Sequence, residues 1–132
     1  VLRPIVQAEA RAVDGSWCQV RLLVDTGADM TVLDGETVQA LGLPREAGPG
    51  SLAGVGGGAA LVIVETTLQM VRADGGTPLT FKGRFAAVDN PVELGTGVLG
   101  RDILNLFTLI LDRAAETVLF LRPPHRYAIH PA

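Results

Sequence analysis

Apolar and polar side chains alternate with a period of two through residues 5–13. Val6, Ala8, Ala10 and Ala12 fall on one face, and Gln7, Glu9 and Arg11 on the other. This is the pattern of a strand with one side in a core and one in water. Asp14-Gly15-Ser16 supplies hairpin-turn residues. Trp17 to Val24 returns as a second strand with Cys18, Val20, Leu22 and Val24 on one face, and it ends at Asp25. Met30 to Leu33 predicts a short strand. Asp34 then caps a short helix through Glu36, Val38 and Leu41, stopped by Gly42 and Pro44. Residues 44–60 are rich in Gly and Pro and receive no regular element. Leu61 to Arg72 is a long strand with Val62, Val64, Thr66, Leu68 and Met70 on one side. Asp74-Gly75-Gly76 turns it into Leu79 to Val88, with Thr80, Lys82 and Arg84 facing out. A second short helix is expected over Arg101 to Leu106, and a final hairpin over Thr108 to Asp112 and Thr117 to Leu121. Many short strands, two short helices and no internal linker predict a mostly β domain over residues 1–121, followed by a polar, Pro-rich tail, 122–132.

Composition narrows the function. The 132 residues are 48% hydrophobic and 19% charged, enough for one globular domain with a real core. A net charge of −3, with ten Arg and one Lys dispersed along the chain, argues against a nucleic-acid or anionic-membrane surface. No apolar run is long enough to cross a bilayer. The lone Cys18 excludes an internal disulfide and leaves the redox compartment open. The first residue, Val1, is not an initiator methionine, which fits an excised domain or a processed product with a missing anchor or precursor segment. Localisation stays open.

Chemistry concentrates at Leu22-Leu23-Val24-Asp25-Thr26-Gly27-Ala28-Asp29. A buried strand that delivers a carboxylate into a tight turn holds it rigid and partly desolvated, the setting in which an acid serves acid/base chemistry. An ordinary hairpin turn uses the same residues. Other chemistries are weaker. Gly95-Thr96-Gly97-Val98-Leu99-Gly100 fits a dinucleotide fingerprint by letter, but only a β-hairpin and tail follow, without the second parallel strand and its acid. His125 and His130 lie in the tail without further metal ligands in a spaced pattern, so no metal is expected. Neither Ser16 nor Ser51 has a His in a triad pattern, and Cys18 has no activating neighbour.

Three features in order, Val24-Asp25-Thr26-Gly27-Ala28-Asp29, the glycine-rich stretch Ala53-Gly54-Val55-Gly56-Gly57-Gly58, and Val98-Leu99-Gly100-Arg101-Asp102, resemble the retropepsin-like aspartic proteases. The resemblance covers about residues 5–121. It implies a closed β-barrel acid-protease fold with one lobe per chain, acting as a homodimer on a peptide or protein substrate, without cofactor. The chemistry needs two carboxylates sharing a proton, and a chain this short carries one Asp-Thr-Gly, so Asp25 must meet Asp25 of a second copy.

By the same resemblance, Asp25 is the catalytic acid/base, Thr26 bonds across the dimer, and Gly27 lets backbone approach the substrate. Ala28 stands where two-lobed enzymes carry Ser, implying a mildly acidic optimum. Asp29 and Arg101 form an ion pair bracing the site. Ala53, Gly54, Val55 and Gly56 belong to a flap over bound peptide, Val98, Leu99 and Gly100 form an apolar wall behind the catalytic turn, and Val55, Val98 and Leu99 are expected to contact the substrate as apolar subsites. Two departures stand out: about thirty residues follow Arg101, more than in viral members, and Asp102 replaces their common Asn, a change expected to matter little. The rival expectation is a dimeric binding or assembly module of the same fold without catalysis.

Overall fold

The structure, a computed structural model, describes residues 3–52, 59–88 and 96–123, with backbone alone for 49–52, 59 and 60. Strands β1 (Ile5–Arg11) and β2 (Trp17–Val24) form the expected antiparallel hairpin, from Ile5 opposite Leu23 to Arg11 opposite Trp17. The hairpin stops at Arg11 rather than residue 13 because the Ala12 amide turns to Ser16 O and the Val13 amide to Leu41 O. In the turn, the Ser16 hydroxyl and amide both donate to Asp14, holding that carboxyl below the usual range.

Strand β3 (Val32–Leu33) leads into helix α1 (Gly35–Leu41). The helix starts as the sequence predicts: buried Asp34 is the N-cap, accepting from the Thr37 amide at 3.4 Å and its hydroxyl at 2.5 Å. It ends at Gly42, whose φ of 63° is the left-handed cap that Gly adopts without strain.

The segment left without a regular element contains a strand, β4 (Glu46–Leu52). It pairs antiparallel with β5 (Ala59–Met70), and the register shifts between Ala47 and Ser51, around Pro49. An edge strand accommodates a proline at such an irregularity because one side of its ladder is unpaired. Strand β6 (Leu79–Val88) completes the long hairpin with β5, joined through a turn where Arg72 and the Gly76 amide hold the Asp74 carboxyl below its usual range.

Strand β7 (Gly97–Leu99) was assigned no strand by its sequence. It slots between β2, which it meets in parallel, and β3, which it meets antiparallel. Sheet order is β1-β2-β7-β3-β6-β5, and pairing of Ala8 with Met70 and Ala10 with Leu68 closes it into a six-stranded barrel, with β4 outside on β5. A close approach sets Gly97: a Cβ there would stand 2.4 Å from the Val32 carbonyl oxygen, so the glycine-rich run serves strand packing. Inside the barrel, the inward faces read from the sequence meet. Leu22, Leu33, Leu41, Leu68 and Leu99 are fully buried, each removing apolar surface worth about 1.5–3 kcal/mol.

Helix α2 (Arg101–Leu104) is two residues shorter than expected, continuing as turns in which Leu106 and Phe107 bond back to Ile103 and Leu104. Strands β8 (Thr108–Asp112) and β9 (Thr117–Leu121) form the final hairpin as a separate two-stranded sheet. Phe107 anchors it, edge-on to Phe81 at 6.0 Å and to Phe120 at 5.6 Å. No helix among the described residues is long and apolar enough to cross a membrane.

Candidate active site

Asp25 lies one residue beyond β2, and its position is fixed from both sides. The Val24 amide donates to Pro4 O at 2.9 Å, and the Asp25 amide to Leu99 O at 3.1 Å. The chain then turns at once: the Ala28 amide donates to Asp25 O at 3.2 Å, and the Gly27 amide to Asp25 Oδ1 at 2.9 Å. One carboxylate oxygen is thereby aimed by the backbone. Asp25 is half-buried, while Thr26 and Gly27 are exposed. A Cβ at Gly27 would come within 3.2 Å of Asp25 Oδ1 and displace the carboxylate, so glycine at this position protects the geometry of its neighbour.

The far side of the turn is held by residues 99–102. Arg101 N donates to Ala28 O at 2.9 Å. The Arg101 guanidinium is ion-paired with Asp29, but the two side chains are 45% and 80% exposed, so water screens the pair and its contribution is small. Val98 is half-buried between Leu23 and Val32. Leu99, counted by its sequence among substrate-contacting residues, is fully buried, so its side chain belongs to the core while its carbonyl holds Asp25. The expected flap residues Ala53, Gly54, Val55 and Gly56 lie outside the described residues.

Thr31, which the sequence did not single out, and Asp102, marked there only as a departure expected to matter little, lock this arrangement. Thr31 is fully buried, and its amide and hydroxyl donate to Asp102 Oδ1 at 3.0 and 2.7 Å. The same hydroxyl accepts from the Gly100 amide at 3.1 Å, and Asp102 Oδ1 also accepts from the Ile103 amide at 2.9 Å. This diversion explains why β3 begins at Val32 rather than Met30: the Thr31 amide is committed to a carboxylate instead of a ladder. Nothing local marks the pair, because its members stand 71 positions apart. Asp102→Ala is expected to lower stability by about 2 kcal/mol, since it leaves a buried amide and hydroxyl without an acceptor. Asp102→Asn, which keeps an acceptor oxygen, is expected to retain most of it. Urea unfolding of the two variants checks this.

A carboxylate in a rigid Asp-Thr-Gly turn, at the mouth of a closed barrel and braced from behind by a Gly-Arg-Asp helix start, defines the retropepsin-like aspartic protease class. A family model described as aspartyl protease matches residues 10–103, and the chain belongs to that family. Among solved structures, it is similar to the EIAV protease complexed with the inhibitor HBY-793, with 28% identity and a TM-score of 0.56 over 79% of this chain and 86% of that one. It shares the fold of the retroviral protease-like domain of Ddi1 from Leishmania major, at 17% identity and a TM-score of 0.52, covering 88% of this chain and 87% of that one. A retropepsin-like aspartic protease from Rickettsia conorii aligns at 20% identity and a TM-score of 0.48, over 86% and 95% of the two chains. No curated protein matches the chain.

Proposed function

We propose that this chain is an aspartic endopeptidase active as a homodimer, with Asp25 of each copy facing the other across a two-fold axis. The observation that carries the reading is Asp25 itself: one half-buried carboxylate, aimed by the Gly27 amide, in a chain whose sequence holds a single Asp-Thr-Gly. Two such carboxyls side by side share one proton. The ionised member takes a proton from a bound water, whose oxygen attacks the peptide carbonyl carbon, while the protonated member gives its proton to the carbonyl oxygen. Collapse of the tetrahedral intermediate breaks the C–N bond as the amine nitrogen takes up a proton, and the shared proton is restored. No cofactor is needed.

Around this centre, Thr26 would bond across the dimer. Gly27, Ala28, Asp29, Val98 and the flap residues Ala53, Gly54, Val55 and Gly56 would contact the extended peptide, whose backbone pairs with them as an added strand. Arg101 and Gly100 support the turn. The catalytic domain comprises residues 1–121 and the tail 122–132. The family match and the similarity to a protease solved with an inhibitor support this reading.

The test is cleavage of a mixed peptide pool between pH 4 and 7 over a dilution series. Specific activity is expected to fall as the dimer dissociates. Activity that stays constant down to monomer overturns the shared centre, and an intact dimer without cleavage points to a binding or assembly module.

A further inference from the structure

A cavity of about 540 Å³ opens on the flank of the barrel, beside the start of β2 and the end of β1. The eight residues of β2 separate it from Asp25 by roughly 25 Å. Three of the chain's eleven basic side chains line it, in a protein whose net charge is −3. Two of them share a row across the sheet. Lys82 stands opposite Thr67 in the β5–β6 register. The β1–β5 register reaches Ala10 opposite Leu68, and the Thr66 hydroxyl donates to Arg11 O at 2.7 Å, which sets Arg11 beside Thr67. Arg11, Thr67 and Lys82 alternate with core-facing neighbours, so all three lie on the outer face.

The acids nearby are engaged elsewhere. Glu46 is ion-paired with Arg84, and Glu65 faces Arg84 across the strands. Glu9, in the next row, accepts from Gln69 at 3.4 Å. Among the described residues, no carboxylate is ion-paired with Arg11 or Lys82. The Arg11 guanidinium is held over the Trp17 ring, 5.1 Å from its centroid, a contact that orders it while leaving its N–H edge free to donate. Val13, Leu43 and Pro44 supply an apolar part of the same lining.

We propose that this cavity docks an acidic, aliphatic peptide segment. A carboxylate of the segment sits between Arg11 and Lys82, and an aliphatic side chain lies against Val13, Leu43 and Pro44. Charge complementarity selects the acid, since the row offers two unpaired cations with a hydroxyl between them. Volume and the apolar lining select a peptide over a lone anion, which fills a small part of 540 Å³. The origin of the segment rests on the proteolytic reading above: it is a stretch of protein substrate remote from the bond that is cut. An extended chain needs about eight residues to span the distance to Asp25, so short peptides cannot occupy both places.

The test is isothermal titration calorimetry on the Asp25→Asn chain, which reads binding without cleavage. The probes are a capped hexapeptide of alternating glutamate and leucine, its glutamine counterpart, and inorganic phosphate. Three forms are compared: the parent, Lys82→Gln, and the control Arg21→Gln, which removes an equal charge from an exposed position of β2 outside the cavity. Circular dichroism confirms that each remains folded. The glutamate peptide is expected to bind the Lys82→Gln form about tenfold more weakly than the parent, and the Arg21→Gln form as it binds the parent. Emission from Trp17, the chain's only tryptophan, is expected to shift on binding, because the ligand engages the guanidinium above its ring. Absence of binding, equal affinity for the glutamine peptide, or a folded Lys82→Gln form that binds like the parent overturns the site. Phosphate that displaces the peptide at the peptide's own affinity overturns the peptide assignment in favour of an anion pocket. Any of these results leaves an aspartic protease standing, whereas a wild-type chain that cuts no peptide fails the proteolytic reading without touching the docking site.

Discussion

Asp25→Asn is expected to lower peptide cleavage by about a thousandfold or more while leaving fold and thermal midpoint unchanged. The substitution is nearly isosteric, and an Asn oxygen still accepts the Gly27 amide that now donates to Asp25 Oδ1 at 2.9 Å. The turn, its hold on Leu99 O and the brace from Arg101 are all retained. What disappears is the ability to exchange a proton, and a positioned acid or base contributes about 10²–10⁴-fold by itself. In a symmetric dimer the change removes both members at once. Initial rates on a peptide pool from pH 4 to 7, with unfolding followed in parallel, check it; wild-type rates in the variant would reject the dyad.

Gly100→Ala is expected to be the most damaging conservative change in the barrel. A Cβ at Gly100 would stand 2.4 Å from the Met30 carbonyl carbon, 2.5 Å from its oxygen and 2.9 Å from its nitrogen. These are main-chain atoms, which do not swing aside as a side-chain tip does. Retreat of Gly100 breaks its hydrogen bond to Thr31 Oγ1 and draws Arg101 from Ala28 O, so relief of the clash dismantles the brace behind Asp25. A loss of about 3 kcal/mol or more is expected, at the upper end for overpacking, with a fall in melting temperature of roughly 10 °C. Gly83→Ala is the matched control: a Cβ there meets nothing within 4 Å, and stability is expected to stay within about 0.5 kcal/mol. Differential scanning calorimetry separates the two.

How much of this could be read along the chain depends on how local the cause is. The β1–β2 and β5–β6 hairpins, α1 and the last hairpin were legible because alternation, turn residues and caps lie within a few positions of each other. Strand β4 was not, since Gly and Pro depress strand propensity and its pairing comes from β5. Strand β7 was not, because three residues carry no period and both partners are remote. The site divides the same way. Asp25, Asp29 and Arg101 were picked out by motif, and the structure brings them to one turn. Thr31 was not singled out and Asp102 was expected to matter little, because a buried hydroxyl meeting a distant carboxylate leaves no pattern in either neighbourhood.

The insertion of β7 between β2 and β3 also dictates when the chain can become competent. Leu23 and Val24 have no neighbour on that side until Val98 and Leu99 arrive, and Thr31 waits for Asp102. A nascent chain emerging from the ribosome therefore carries Asp25 long before it can orient it. Closing so long a loop is an entropic toll that slows maturation. The turn that carries Asp25 therefore stays unbraced until nearly the whole barrel has been translated.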